Sequence, residues 1–148
     1  MVLHRRVGGL SRIRAISHVY FIWKAQFLYI GETQGLPVRR WGEHVLTTGS
    51  FSTNLRAIDS ELCDSSAPMS FLAYECSKID VEVPAPQRKL VTQYVEHELH
   101  LHAVCDPKIG TEFRLISDTT RTAPTRCLYA WATELARDIF HDAKGQLV

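Results

Sequence analysis

The alternation of apolar and polar positions predicts a two-stranded hairpin near the start of the chain. Aromatic and β-branched residues dominate residues 19–23 and 27–30, and only three residues separate the two runs. Such runs are typical of strands joined by a tight turn. Gly31 follows the second run, and Pro37 suits the first position of a helix because its fixed φ is already helical. The pattern therefore predicts a hairpin followed by a helix over residues 38–45.

Later stretches predict one more strand and two more helices. Residues 69–76 have the composition of a third strand, and apolar residues at helical spacing predict helices over residues 87–104 and 122–143. The intervening residues 47–68 are rich in Ser, Thr, Asn and Asp, which predicts a loop with at most a short helical turn. This mixture of elements predicts an α+β fold in a single domain spanning residues 1–148.

The first predicted helix has two distinct sides. Three apolar residues at spacings of three and four form a stripe that should face the hairpin, namely Val38, Trp41 and Val45. Arg40 and His44 are four residues apart and share an edge beside that stripe, whereas Arg39 points towards solvent. Because the strands place Tyr20 and Tyr29 next to each other, two tyrosines, an arginine and a histidine are predicted to converge.

These segments resemble the signature of the GIY-YIG nuclease superfamily. Tyr29-Ile30-Gly31 matches the second half of that signature, and Arg40-Trp41-x-x-His44 matches its helix segment in the histidine version. The first half departs, because His18-Val19-Tyr20 stands where Gly-Ile-Tyr is expected, although Tyr20 keeps the tyrosine. The resemblance covers about residues 18–110. It implies a small three-stranded antiparallel sheet flanked by helices, here with an additional C-terminal helix.

The resemblance implies a metal-dependent endonuclease that hydrolyses phosphodiester bonds in DNA. Arg40 would clamp the scissile phosphate, because its planar guanidinium matches phosphate oxygens and stays charged. Tyr29 would orient or deprotonate the attacking water, with Tyr20 beside it and His44 accepting or relaying the proton. Further candidates for contacts with the substrate are Lys24, Thr33 and Arg39.

The superfamily also needs a helix glutamate that holds a divalent metal, here Mg²⁺ or Mn²⁺. Glu96 and Glu98 are both candidates on the predicted long helix. We favour Glu98, because helical geometry places it at the centre of the apolar face, where an unpaired carboxylate is costly. Glu96 then falls on the polar side and is the alternative ligand. Gly110 stands where the family often has an asparagine, which puts that residue's substrate-positioning role in doubt.

A group of possible zinc ligands on the same helix offers a competing site. Its members are His97, His100, His102 and Cys105. By helical geometry His97 and His100 share a side while His102 points away, so all of them cannot bind one ion without unwinding the helix. The pattern favours a polar helix surface over a zinc-stabilised interaction domain, which we keep as a third hypothesis.

Composition and charge exclude little. The chain has 148 residues, of which 45% are hydrophobic and 22% charged, as in one compact domain. A net charge of +1 does not by itself indicate nucleic-acid binding. It is compatible with an alternative in which the fold is a catalytically inactive module that binds nucleic acid or a protein.

Localisation and partners follow from the same features. No apolar run is long enough to cross a bilayer, and residues 1–14 lack the apolar region of a secretory signal. We therefore expect a cytoplasmic protein with no membrane partner. Its expected partner is double- or single-stranded DNA, and a homodimer would supply two sites for double-strand cutting.

Overall fold

The computed structural model describes residues 5–7, 16–46, 48–118 and 123–147. These residues form an α+β fold in which helices flank a mixed sheet. Within the described ranges the sheet has five strands in the order β1-β4-β2-β3-β5. The strands are β1 (Arg5–Val7), β2 (His18–Lys24), β3 (Phe27–Thr33), β4 (Met69–Glu75) and β5 (Arg114–Leu115).

The sheet is larger and less uniform than the predicted three-stranded antiparallel one. β2 pairs antiparallel with β3 on one side and with β4 on the other, and β1 adds to β4 in the same sense. β5 instead runs parallel to β3, so the sheet is mixed and the prediction is not confirmed. Two- and three-residue edge strands are too short to show a period in the sequence, which explains why they were not predicted.

The helices agree with the predictions near the hairpin and differ elsewhere. In the described residues they are α1 (Pro37–Val45), α2 (Ser50–Ile58), α3 (Ser60–Asp64), α4 (Ser77–Glu82), α5 (Arg88–Cys105), α6 (Ile109–Glu112) and α7 (Ala130–Leu147), with a 3₁₀ turn at Ala85–Gln87. The prediction of a loop over residues 47–68 is wrong, because that stretch contains α2 and α3. The C-terminal helix spans Ala130–Leu147, whereas residues 122–143 were predicted.

The larger core lies between the sheet and the two longest helices. Alternate residues of the three long strands face this core, for example Val19 and Phe21 on β2 and Leu28 and Ile30 on β3. α5 packs on β3, and α7 packs on α5. α5 is therefore enclosed by the sheet and by α7. None of the described helices is long and apolar enough to cross a membrane.

A smaller core lies on the opposite face of the sheet. Tyr20 and Ile22 of β2 and Phe27 of β3 point to this face, where they pack with Phe51 and Leu55 of α2. The Ser- and Thr-rich α2 is thus held by two apolar side chains, although its composition is typical of a loop. Tertiary packing overrides local propensity here. This face carries the predicted tyrosines.

Candidate active site

The structure brings Tyr20, Tyr29 and His44 into contact on the smaller-core face. The Tyr20 hydroxyl lies 2.9 Å from His44 Nε2. The ring centroids of Tyr29 and His44 are 4.6 Å apart. In the strand register Tyr20 lies opposite Gly31 and Tyr29 lies opposite Ile22, so the two tyrosines are diagonal neighbours. The predicted convergence of these three side chains is confirmed.

Gly31 makes room for Tyr20. A Cβ built on Gly31 would overlap the phenol ring and hydroxyl of Tyr20. Any larger residue at this position would have to displace the ring that contacts His44. The glycine of the Tyr29-Ile30-Gly31 run is therefore required by the packing of the site.

The hydrogen bonds of His44 define its tautomer. The backbone N–H of Phe51, in the first turn of α2, donates to His44 Nδ1 at 3.1 Å. An amide N–H can only donate, so Nδ1 carries no proton and the neutral ring is protonated at Nε2. Nε2–H therefore donates to the Tyr20 hydroxyl oxygen. Burial, followed by the charge of Arg40, lowers the pKa of His44 to about 4, which keeps the ring neutral at pH 7.

The hydrogen bonds of His44 differ from those expected of a proton acceptor. In this arrangement its Nε2 donates a hydrogen bond to Tyr20 and has no lone pair with which to accept a proton. The ring also satisfies one of the free N–H groups at the start of α2, since Gly49 at the N-cap offers no side chain. Its position fixes the Tyr20 hydroxyl and leaves that hydroxyl's own hydrogen available to another acceptor.

Arg40 lies at the rim of this group of side chains. Its Nη1 donates to Glu43 Oε2 at 2.5 Å, one turn further along α1. Arg40, Glu43, His44 and Ser50 line a shared cleft. The Arg40 charge also acts on Tyr20, where it opposes the larger effect of burial on the pKa. Arg40 therefore faces the tyrosines, as predicted.

The apolar stripe predicted for α1 is not the buried side of the helix. Trp41 is 37% exposed and Val45 is 47% exposed, whereas Pro37 and His44 are the buried residues. The reason is that α1 packs on α2 as well as on the sheet, so its buried side lies between α2 and the strands. Polar His44 therefore occupies the place that the pattern assigned to apolar residues.

Both tyrosines are poor acids in this environment. Burial raises the pKa of Tyr20 well above its ordinary value, and it also raises the pKa of Tyr29, against a hydrogen bond from Ser50. The charge of Glu96 adds to both shifts. Neither phenol is ionised at neutral pH without a nearby positive charge.

The two candidate glutamates have the opposite burial to that predicted. Glu96 is 6% exposed, while Glu98 is partly exposed and two apolar residues of the same helix, Leu90 and Leu101, are about half exposed. The preference for Glu98 rested on a helix with one buried side. Because α5 is enclosed by both the sheet and α7, its buried surface extends around to Glu96. The structure therefore places Glu96, and not Glu98, within electrostatic reach of the tyrosines.

Hydrogen bonds on both sides of Glu96 locate it along β3. Thr92, Glu96 and His100 follow one another at four-residue spacing and so lie on one side of α5. Gln34 Nε2 donates to Thr92 Oγ1 at 2.9 Å. At the other end, Ser117 Oγ donates to His100 Nε2 at 2.8 Å, because His100 Nδ1–H donates to the Glu96 carbonyl, and Ser117 Oγ accepts from the backbone N–H of Ile30 at 2.8 Å. Glu96 therefore lies opposite the part of β3 between Ile30 and Gln34.

Glu32 occupies that part of β3. Its Oε2 is buried and has no hydrogen-bond partner among the described residues. Burial raises the pKa of Glu32, against the charge of Lys89, a hydrogen bond with Gln34 and the charge of Arg40. Burial, followed by the charge of Glu32, raises the pKa of Glu96 to about 8. Glu32 was not among the residues predicted from the sequence. The signal that could have located this group is the four-residue spacing of the polar residues Thr92, Glu96 and His100 along α5.

The two carboxylates suit a hard divalent cation such as Mg²⁺ or Mn²⁺. Such ions take oxygen ligands, and Mg²⁺ is commonly held by one or two carboxylates and several waters. No set of three His, Cys, Asp or Glu residues within the described ranges is placed to share a metal ion. The fit therefore depends on Glu32 and Glu96 with water.

The predicted zinc ligands do not come together. His100 is bonded to Ser117 and to the Glu96 carbonyl, and the ring of His102 stacks on Phe140 at 5.4 Å. Cys105 is exposed at the end of α5. The described residues thus contain no geometry for the zinc hypothesis.

The three predicted substrate contacts also lie apart from the tyrosines. Lys24 is buried at the far end of β2, where its Nζ donates to the carbonyls of Cys63 and Ser65 at 3.1 and 2.9 Å. Thr33 Oγ1 accepts from the Gly35 N–H at 3.0 Å and so supports a turn. The side chain of Arg39 is 81% exposed and pairs with Glu43. The structure does not bring these side chains into the site.

Comparisons with known proteins add no relative. The sequence matches no protein-family model, and neither a curated protein nor a solved structure is significantly similar to it. The function of the chain is therefore inferred from the site itself.

Proposed function

We propose that this protein is a metal-dependent endonuclease of the GIY-YIG type that hydrolyses phosphodiester bonds in DNA. The observation that carries the proposal is the contact of Tyr20, Tyr29 and His44 beside Arg40, with the buried Glu96 nearby. A phosphate-binding cation, hydroxyl groups and a metal-binding carboxylate are the groups that phosphodiester hydrolysis needs. The resemblance noted in the sequence supports the same reading.

Arg40 is the proposed phosphate clamp. Its guanidinium offers parallel N–H donors that match two phosphate oxygens. One of its nitrogens is bonded to Glu43, so binding of a phosphate would compete with that ion pair or share the guanidinium with it. Glu43 would in this way hold Arg40 in place before the substrate arrives.

The tyrosines are the proposed hydroxyl donors. His44 Nε2–H holds the oxygen of Tyr20, which directs the hydrogen of that hydroxyl to a phosphate oxygen or to the attacking water. Tyr29 is placed beside it to orient the same water. Because burial raises the pKa of both phenols, we propose that they position the water and do not deprotonate it unaided.

Glu96 is the proposed ligand of Mg²⁺ or Mn²⁺. When bound, such an ion would neutralise charge on the reacting phosphate and help to acidify water. The buried Glu96 replaces Glu98 as the favoured residue, because it lies near the tyrosines and Glu98 is partly exposed.

The test is cleavage of supercoiled plasmid and of single-stranded DNA, with Mg²⁺, with Mn²⁺ and with chelator. We expect metal-dependent cutting by the wild type and a loss of about 10²-fold or more in Arg40→Ala and Glu96→Gln. Arg137→Ala and Glu134→Gln on α7 are matched controls at exposed positions and should cut like the wild type. Metal-dependent cutting that survives both Arg40→Ala and Glu96→Gln would overturn the assignment. Loss in Glu98→Gln with retention in Glu96→Gln would restore Glu98.

A catalytically inactive binding module is the second candidate. The observation in its favour is that Glu43 pairs with both Arg39 and Arg40, which reduces the positive charge presented to a phosphate. For this function we expect no cutting of either substrate, with binding that is weakened by Arg40→Ala. Fluorescence anisotropy of labelled DNA measures that binding directly.

A further inference from the structure

We infer that Glu32 is a second carboxylate ligand of the divalent cation, so that the ion is held between Glu32 on β3 and Glu96 on α5. This inference rests on the proposed function for the identity of the ion. Its ligand chemistry is a hard divalent cation, of the class of Mg²⁺ or Mn²⁺, bound by two carboxylates and completed by water or substrate oxygens.

Hydrogen bonds in the backbone and side chains place the two carboxylates opposite each other. Gln34 follows Glu32 by two residues and donates to Thr92, one turn before Glu96. Ile30 precedes Glu32 by two residues and is tied through Ser117 to His100, one turn after Glu96. These two hydrogen-bonded connections lie on either side of Glu32 and Glu96. Each is two residues from Glu32 along the chain and one helical turn from Glu96 along α5.

One oxygen of the pair has no partner that would explain its burial. Gln34 is hydrogen-bonded to the Glu32 carboxylate, but Glu32 Oε2 is fully buried and accepts no hydrogen bond from the described residues. Glu96 is 6% exposed, and the charge of Glu32 acts on it. Two acidic side chains this close in a largely buried place are costly unless a positive charge lies between them.

The nearby cationic side chains do not supply that charge. Lys89 and Arg40 act on Glu32 only at longer range, and neither forms an ion pair with Glu32 or Glu96 in the described part of the chain. Arg40 is already bonded to Glu43. A cation from solution is therefore the group that fits, and a proton shared by the pair is the competing explanation.

The orientation of Glu32 is supported from the turn after β3. Gln34 Oε1 accepts from Ser17 Oγ at 2.9 Å, which fixes the direction of the Gln34 amide towards Thr92. Ser17 is in turn bonded to Asp80 through its backbone N–H at 3.0 Å. This network anchors the end of β3 on which Glu32 stands, as is usual for residues that orient metal ligands.

The test is binding of Mn²⁺ to the full chain without DNA, followed by electron paramagnetic resonance of the free ion. We expect one ion per chain for the wild type and at least about tenfold weaker binding in Glu32→Gln and in Glu96→Gln. Glu134→Gln, an exposed carboxylate on α7, should bind as the wild type does. Glutamine has nearly the same shape as glutamate, and circular dichroism checks that each variant is folded.

Each result decides the question. Wild-type affinity in Glu32→Gln would show that Glu32 is not a ligand, and absence of a specific ion in the wild type would show that the pair only shares a proton. Either result overturns the inference. If Mn²⁺ binds through both residues but no DNA is cut, the cation site stands and the nuclease proposal fails. If cutting needs Glu96 and metal while Glu32→Gln binds Mn²⁺ normally, the nuclease proposal stands and this inference fails.

Discussion

Val19 and Tyr20 are consecutive residues of β2, yet they point into two differently built regions. Val19 faces α5 and α7, where the larger core is made of aliphatic and aromatic side chains from every long element. Tyr20 faces α1 and α2, where its hydroxyl contacts His44 and its ring leaves room only for a glycine opposite. The first region is extensive and mainly apolar, although it also holds the buried Glu96, and the second is small and centred on the hydrogen bond between Tyr20 and His44.

Apolar and polar side chains of the two faces should respond differently to substitution. Burial of apolar area is the dominant favourable term in folding, and most of that area lies on the α5–α7 face. Buried polar groups each need a partner, which fixes their orientation. Substitutions of apolar residues on the first face should therefore change the free energy of unfolding, whereas those of Tyr20 on the second face, like those of the proposed metal ligand Glu96, should change activity.

The largest expected effect is on the larger core. Leu135 of α7 is fully buried, and Leu135→Ala should cost about 2–5 kcal/mol of unfolding free energy because a cavity is left behind. Urea denaturation measures this loss. Leu128→Ala is the matched control, since Leu128 is 97% exposed, and it should change stability by no more than about 0.5 kcal/mol. Equal effects of the two changes would mean that α7 is not part of the core.

The next effect concerns pH in the absence of metal. The pKa of Glu96 is raised from 4.5 to about 8 in the folded chain, so its contribution to stability is full at pH values below the unfolded value and is lost as pH rises through about 8. Between pH 6.5 and 8 the free energy of unfolding should fall by roughly 1 to 2 kcal/mol. The lowered pKa of His44 does not change the free energy of unfolding in this window. Its favourable contribution is lost only as pH falls below 6.5, and it is constant above that value.

The control for this pH effect is Glu96→Gln in chelator, which should remove the decline. Urea denaturation at several pH values gives the comparison between variant and wild type. If the free energy of unfolding depended on pH in the same way for both proteins, the raised pKa of Glu96 would be contradicted, and so would the burial that causes it.

The smallest effect on stability should accompany a large effect on activity. Tyr20→Phe leaves His44 Nε2–H without its acceptor, which should cost about 1 kcal/mol. Tyr94→Phe on the other face removes a comparable bond to Thr133, of 2.7 Å, at similar cost. Only Tyr20→Phe should reduce cleavage, by about 10²-fold. If both variants cleave DNA equally well, the Tyr20 hydroxyl is not used in the reaction.

Local patterns were enough to predict the hairpin and α1, which carry the tyrosines, Arg40 and His44. The aromatic runs of the hairpin, Pro37 at the start of α1 and the spacing of Arg40 and His44 are short-range features, and the structure agrees with each. The contact of Tyr20, Tyr29 and His44 follows from those features, because a tight hairpin fixes the register of its two strands.

Features set by distant parts of the chain could not be predicted. Which glutamate of α5 is buried depends on α7, which begins 25 residues after α5 ends. The exposure of Trp41 depends on α2, which forms in a stretch whose composition is typical of a loop. The tautomer of His44 depends on one backbone N–H of α2. In each case a partner remote in sequence decides the outcome.

The aromatic rings beside the site have an optical consequence. Trp41 stacks on Phe71 with ring centroids 5.7 Å apart, and Phe71 stacks on Tyr20 at the same distance. The other two tryptophans, Trp23 and Trp131, pack against the larger core on the opposite face of the sheet. In a variant that keeps Trp41 as its single tryptophan, the indole fluorescence should therefore change when a ligand binds at Arg40, without any attached dye.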